Sequence, residues 1–182
     1  MKIGIAGAGG IGSNVAVHLV RSGVESIKIA DFDRIEKSNL NRQFYFYDQI
    51  GMYKSEAVKL NLDRIGSSTK IESVNMKIEA ENIEELFNDC DIVVEAFDKK
   101  EYKKILVELL GAKGKKIVSA SGIGGTECHT VTSRRVGGNI KIIGDFTSDI
   151  SQFKTYSHKV SVVASLMAEE VIAMGGLAVE DR

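Results

Sequence analysis

The sequence predicts one three-layer α/β domain over residues 1–182, with a mainly parallel sheet extended by antiparallel strands in the C-terminal third. Three observations predict it. Short apolar runs alternate with segments of helical periodicity from Lys2 to about Ala120. A glycine-rich turn joins the first run to the first helical segment. Beyond Ser121 the alternation gives way to weakly patterned runs behind glycine turns.

The elements follow in order. Lys2 to Ala6 (KIGIA) reads as a strand, Gly7 to Gly12 as a glycine loop, and Ser13 to Arg21 as a helix carrying Val15, Leu19 and Val20 on one face. Ser26 to Ala30 (SIKIA) is a second strand ending at Asp31, followed by the polar, irregular stretch DFDRIEKSNLNRQ. A helix is expected from Met52 to Ile65, a strand from Ile71 to Val74 and a short helix from Ile83 to Phe87. Asp91 to Ala96 (DIVVEA) and Lys116 to Ala120 (KIVSA) are strands flanking a helix from Glu101 to Leu110. Glu127 to Ser133 (ECHTVTS) and Asn139 to Ile143 (NIKII) follow the turns GIGG and VGG, which predicts local antiparallel pairing. Lys159 to Met174 closes the chain as an apolar helix stopped at Gly175-Gly176, read as a core helix.

Composition excludes several classes. Hydrophobic residues make up 43% and charged residues 27% of 182, which is ordinary for a globular chain and wrong for a disordered tail or coiled coil. A globule of this size buries roughly 70% of its unfolded surface, enough for one substantial core. With 25 acidic against 24 basic residues, no large basic footprint exists for nucleic acid or anionic lipid. No window reaches the roughly 18 apolar residues of a membrane span, and the glycine-interrupted N-terminus does not read as a signal peptide. Cys90 and Cys128 build neither a disulfide framework nor a four-thiolate zinc site, so a reducing, cytoplasmic location is expected.

Gly7-Ala8-Gly9-Gly10-Ile11-Gly12 matches G-x-G-x-x-G between a strand and a helix, the Rossmann-like context in which this motif has meaning. Its glycines permit a tight turn and close backbone approach to a phosphate, while the helix N-terminus offers free N–H groups and a positive dipole end. Asp31, nineteen residues after Gly12, stands where a carboxylate accepts from ribose hydroxyls. The motif alone says nucleotide, and its glycines serve equally to let helix and strand pack closely.

The next segment decides. DFDRIEKSNLNRQ, with Gly51-Met52-Tyr53-Lys54 beyond it, resembles the nucleotide-binding signature of the ubiquitin-activating superfamily, whose bacterial branch includes the ThiF/MoeB-like adenylyltransferases. The resemblance runs from GAGGIGS through EAFD to GDFTSD and is strongest to the short ThiF-like branch linked to thiamine synthesis. It implies adenylation by ATP of the C-terminal glycine of a small ubiquitin-fold sulfur carrier ending in Gly-Gly, with a ThiS-like partner expected. It also implies Mg²⁺ on Asp98, Arg42 and Lys54 as stabilisers of phosphate charge, and Gly7, Gly9, Gly10, Gly12, Asp31, Asp33, Asn39 and Gln43 completing the ATP cradle. Physical sense runs the same way: a triphosphate needs more cations than a dinucleotide pyrophosphate, and Arg42 and Lys54 supply them.

Against the family pattern, the chain begins at its first strand, without the preceding helix that lends an arginine to the neighbouring subunit in dimeric relatives. Paired C-x-x-C zinc ligands are absent, and no cysteine clearly matches the one that some relatives use covalently. Cys90 reads as a core residue, and Cys128 stands beside His129 in an expected strand that would point the two side chains apart. A homodimer is expected by analogy. Two other readings compete: an NAD-dependent oxidoreductase, which leaves Arg42, Lys54 and SNLNRQ without a purpose, and a catalytically impaired carrier-binding module.

Overall fold

In the computed structural model, which describes residues 1–176, the chain runs β1 (Lys2–Ala6), α1 (Gly10–Arg21), β2 (Ser26–Ala30), α2 (Lys54–Asp63), β3 (Lys70–Val74), α3 (Ile83–Leu86), β4 (Ile92–Glu95), α4 (Lys100–Ala112), β5 (Lys116–Ala120), β6 (Thr132–Val136), β7 (Ile140–Gly144) and α5 (Ser157–Gly175). The last residues of the expected domain, 177–182, lie outside the described residues. Two single-turn 3₁₀ helices, Lys37–Asn39 and Tyr47–Gln49, punctuate the irregular stretch after β2.

One sheet takes the order β3-β2-β1-β4-β5-β7-β6, parallel throughout except where β6 pairs with β7. The order reverses between β1 and β4, and a crevice opens beyond the carboxyl ends of the strands at such a switch point. Ile3, Ile5, Ile27 and Ile29 face a layer of α1, α2 and α5, whereas Ala6, Ala30, Val93 and Ile117 face α3 and α4. Strands covered on both faces read as continuous apolar runs, so KIGIA and IVVE show no in–out alternation. Each of those fully buried isoleucines contributes about 1.5–3 kcal/mol relative to exposure. Among the described residues no helix is long and apolar enough to cross a membrane.

Three expectations change. The run Glu127 to Ser133 is not a strand: Cys128 and His129 lie in a loop, and β6 begins only at Thr132. Register explains it, because β7 offers partners from Ile140, opposite Val136, to Gly144, opposite Thr132, and none beyond. The VGG turn makes the expected hairpin, but GIGG does not. Gly124 and Gly125 donate instead to Ser148 O and Lys154 O, which knits residues 121–125 to the segment after β7. At the other end, α1 starts at Gly10 rather than Ser13, so the last glycines of the motif are already helical.

Candidate active site at the carboxyl ends of the strands

A cavity of about 840 Å³ opens beyond the carboxyl ends of β1 and β4. Of the residues expected at the site, Gly7, Gly9, Gly10, Asp31, Asp33, Arg42, Gln43, Lys54 and Asp98 all line it. Gly12 and Asn39 do not. A Cβ on Gly12 would meet Gly7 O at 1.9 Å, so this glycine lets α1 fold back on the turn. Asn39 accepts from the Glu36 N–H at 3.0 Å and caps the first 3₁₀ turn.

The turn is braced from below. Asp31 Oδ2 accepts from the Ala8 N–H at 2.6 Å and Oδ1 from the Asp33 N–H at 2.8 Å, so the expected ribose ligand also fixes the glycine loop. Burial pushes the Asp31 carboxyl above its ordinary range, against the pull of Ala8 N–H and the Lys54 charge. The Tyr45 hydroxyl donates to Ala8 O at 2.6 Å. Burial pushes the pKa of that hydroxyl up, which keeps it protonated and donating.

Arg42 is carried over the loop by α1 itself. Asn14 Nδ2 donates to Gly10 O at 2.7 Å and to Arg42 O at 2.9 Å, and the Phe44 N–H donates to Ser13 Oγ at 3.0 Å. Arg42 uses Nη1 on Ser38 O and Asn41 Oδ1, leaving the rest of its fork without a partner among the described residues. Lys54, 7% exposed, spends one donor on Asp33 at 2.8 Å. An ammonium has three donors, so two remain without a partner among the described residues. Gln43 Oε1 is buried with no partner among the described residues, a state that costs about 1–3 kcal/mol until a ligand donor fills it.

Across the cavity, Asp98 follows β4 as an exposed carboxylate with no hydrogen bond or ion pair among the described residues. Among those residues no three His, Cys, Asp or Glu side chains converge. A lone carboxylate on a cavity wall would suit Mg²⁺ if a phosphate were bound beside it, because that ion takes one or two protein ligands and completes its shell with phosphate oxygens and water. The loop bearing Asp98 is held by the fully buried Glu95, which accepts from the Phe97 N–H at 2.7 Å, Ser119 Oγ at 2.5 Å and Lys103 Nζ at 3.0 Å. Lys103 also donates to Ala120 O at 3.2 Å, so its three donors are spent and it neutralises Glu95 rather than reaching for ligand.

A second cavity of about 560 Å³, lined by Phe153, Lys154 and Tyr156 among others, shares Arg42, Ile150 and Thr155 with the first. Neither cavity is lined by a cysteine. Burial pushes the Cys90 thiol up to about 12, and the Cys128 thiol donates to Thr126 O. His158 Nε2 pairs with Thr126 O, and His18 pairs with Ser165 between α1 and α5. Sequence reasoning missed Tyr45, Asn14 and the Glu95–Lys103 pair, since each acts through a contact between distant segments.

The chain is 35% identical over 124 residues to the adenylyltransferase and sulfurtransferase UBA4 of Candida glabrata, covering 68% of this chain and 29% of that protein. It is 43% identical over 105 residues to the sulfur carrier protein ThiS adenylyltransferase of Bacillus subtilis, covering 56% of this chain and 31% of that one. It therefore spans less than a third of the length of these relatives. The fold also superposes on E. coli tRNA N6-threonylcarbamoyladenosine dehydratase, solved with AMP, at a TM-score of 0.84 and 18% identity over 96% of this chain and 87% of that one. Residues 1–176 match the model of the ThiF family, and the chain belongs to that family.

Proposed function

We propose that the chain binds ATP in the larger cavity and adenylates the C-terminal glycine of a small ubiquitin-like sulfur carrier. The observation that carries this reading is the pair of cations with unspent donors: Arg42 and Lys54 face a glycine turn and helix N-terminus, opposite an unpartnered Asp98. A dinucleotide pyrophosphate would give them less to do. The finer reading, a ThiS-like carrier in thiamine synthesis, is supported by the name of the Bacillus subtilis relative.

The chemistry asks little acid–base work, because a carrier C-terminus is already ionised at neutral pH. A carboxylate oxygen forms a bond to the α-phosphorus, the bond to the bridging oxygen breaks, and pyrophosphate leaves with that electron pair. The protein's task is positioning and charge stabilisation. The glycine turn and the start of α1 present backbone N–H groups to phosphate, Asp31 and Gln43 orient the nucleoside, and Arg42 and Lys54 offset charge on the phosphate oxygens. Asp98 would hold Mg²⁺, which supplies further neutralisation of the triphosphate when bound. The extended carrier tail enters through the second cavity, whose Phe153, Tyr156 and Ile150 are exposed beside Arg42.

Exchange of labelled pyrophosphate into ATP tests the reading. It is expected only when a carrier ending in Gly-Gly is present, and calorimetry should register ATP with Mg²⁺ but not NADH. Binding of NADH in place of ATP would contradict it.

A further inference from the structure

The GDFTSD motif, Gly144 to Asp149, forms a dense polar cluster in the C-terminal third, and its Ser148 and Asp149 line the larger cavity. Lys159, in the first turn of α5, is 1% exposed. Its ammonium donates to Gly124 O at 2.5 Å, Asp145 Oδ2 at 2.6 Å and Ser148 Oγ at 3.1 Å, which exhausts its donors. Asp145 in turn accepts from the Thr147 and Ser148 N–H groups, both at 2.9 Å, and from Ser148 Oγ at 2.5 Å. Around this centre the backbone closes: Gly124 N–H reaches Ser148 O at 3.1 Å, Gly125 N–H reaches Lys154 O at 2.8 Å, and Phe146 N–H reaches Ser121 O at 3.2 Å. Gly144 sits at φ 152°, where a Cβ would fall 1.6 Å from Ser121 O.

Three chain segments meet at that one ammonium: the loop after β5, the turn after β7 and the start of α5. The first two carry Ser121, Gly122, Ser148, Ile150 and Thr155, which line the larger cavity, and Ile150 and Thr155 line the second cavity as well. No group of this cluster braces the glycine turn, Arg42 or Lys54, whose partners lie in α1 and the segment after β2.

We propose that Lys159, with Asp145 and Ser148, is a positioning centre for the acceptor side of the site, setting the wall against which the carrier tail lies without touching nucleotide. The catalytic half of this inference rests on the function proposed above, and the structural half does not. A buried charge cluster whose donors and acceptors are all spent holds one geometry, because any displacement strands a charge in a low-dielectric interior. A displacement of about 1 Å at a substrate wall can cost up to about a hundredfold in rate.

The test uses the full chain with Lys159→Met and Asp145→Asn combined, so that neither charge is orphaned, and with Ser148→Ala as the milder variant should the pair fail to fold. Amide exchange followed by NMR is expected to accelerate at Gly124 and Gly125 at least about tenfold, with the Ala8 amide changed less than about twofold. Affinity for ATP with Mg²⁺ should stay within about twofold, and the carrier KM in pyrophosphate exchange should rise about tenfold or more with kcat nearly held. Uniform loss of protection, ATP affinity falling in step with exchange, or no change at Gly124 and Gly125 would each overturn the proposal. If the wild-type chain shows no carrier-dependent exchange, the adenylation reading fails, while the amide exchange still decides whether Lys159 holds the wall.

Discussion

Lys54 lines the larger cavity and Lys159 lies behind the part of its wall that carries Ser148, and both are nearly buried: Lys54 is 7% exposed and Lys159 1%. On the side proposed for the nucleotide Lys54 spends a single donor on the half-exposed Asp33. On the side proposed for the acceptor Lys159 spends all three, on a carbonyl, a carboxylate and a hydroxyl. Burial therefore does not separate a ligand-binding cation from an architectural one. Counting donors does. The nucleotide side keeps hydrogen-bonding capacity in reserve, with Arg42 partly free, Asp98 unpartnered and Gln43 Oε1 unsatisfied among the described residues. The acceptor side holds none at its centre.

Removing each lysine gives the widest separation between the two sides. Lys159→Met leaves Asp145 charged and buried without its counter-ion, and should cost about 3–5 kcal/mol in urea unfolding. Burial opposes ionisation of Asp145, and the Lys159 and Ser148 contacts outweigh it, holding that carboxyl below the ordinary range. In the intact chain Asp145 is therefore ionised at neutral pH, and in Lys159→Met only the Ser148 and Thr147 contacts remain to hold that charge against burial. If the same cost appears when Asp145→Asn is added, the loss is one of packing rather than of an orphaned charge.

The glycine turn divides along the same line. Gly12→Ala places a Cβ at 1.9 Å from a backbone oxygen and should lower stability by about 3 kcal/mol. Gly9→Ala meets only the tip of Gln43, at 3.8 Å, and should leave stability intact while weakening ATP binding. Equal stability losses in thermal unfolding would erase the distinction between a packing glycine and a phosphate-facing one.

Lys54→Met should do the reverse of Lys159→Met. Asp33 stays solvated, so stability changes by less than about 1 kcal/mol, whereas ATP affinity by calorimetry should fall at least about tenfold, the equivalent of one charge-assisted contact. The smallest effect belongs to the layer that supports both sides. Burial, aided by the Arg21 charge, holds His18 below its ordinary value near 6.5. As pH falls from 7 to 5 the unfolded chain takes up the proton first, so stability should decline over that range. His18→Gln should flatten that decline, read as the difference between urea midpoints at pH 7 and pH 5; an unchanged difference would remove His18 from the balance.

The parallel half of the fold was readable because its signals are local. KIGIA, SIKIA and KIVSA became strands with the expected ends, and each owes its run of apolar residues to burial on two faces. The glycine turn and the cavity residues that follow β2 and β4 were readable for the same reason, as motifs beside strand ends. The acceptor side was not. ECHTVTS alternates like a strand but finds no partner before Thr132, and the GIGG glycines exist for close approach to a segment more than twenty residues away. Lys159 reads as a polar residue at the head of an apolar helix, and only the convergence of Gly124, Asp145 and Ser148 shows what it holds. Asn39 and Gly12 belong to the quoted segments but do not line the cavity: Asn39 Oδ1 caps a 3₁₀ turn, and Gly12 lets α1 pack against the glycine turn.

Carrier-dependent exchange of pyrophosphate into ATP, measured side by side for the wild-type chain, Arg42→Ala and Asp98→Ala, bears most directly on the site as a whole. Exchange in the wild type, lost by at least about a hundredfold in each variant with far-UV circular dichroism and melting temperature unchanged, is the result expected of charge stabilisation at developing phosphate charge. Near-normal exchange in both variants would mean that the cavity at the carboxyl ends of β1 and β4 is not where this chain does its chemistry.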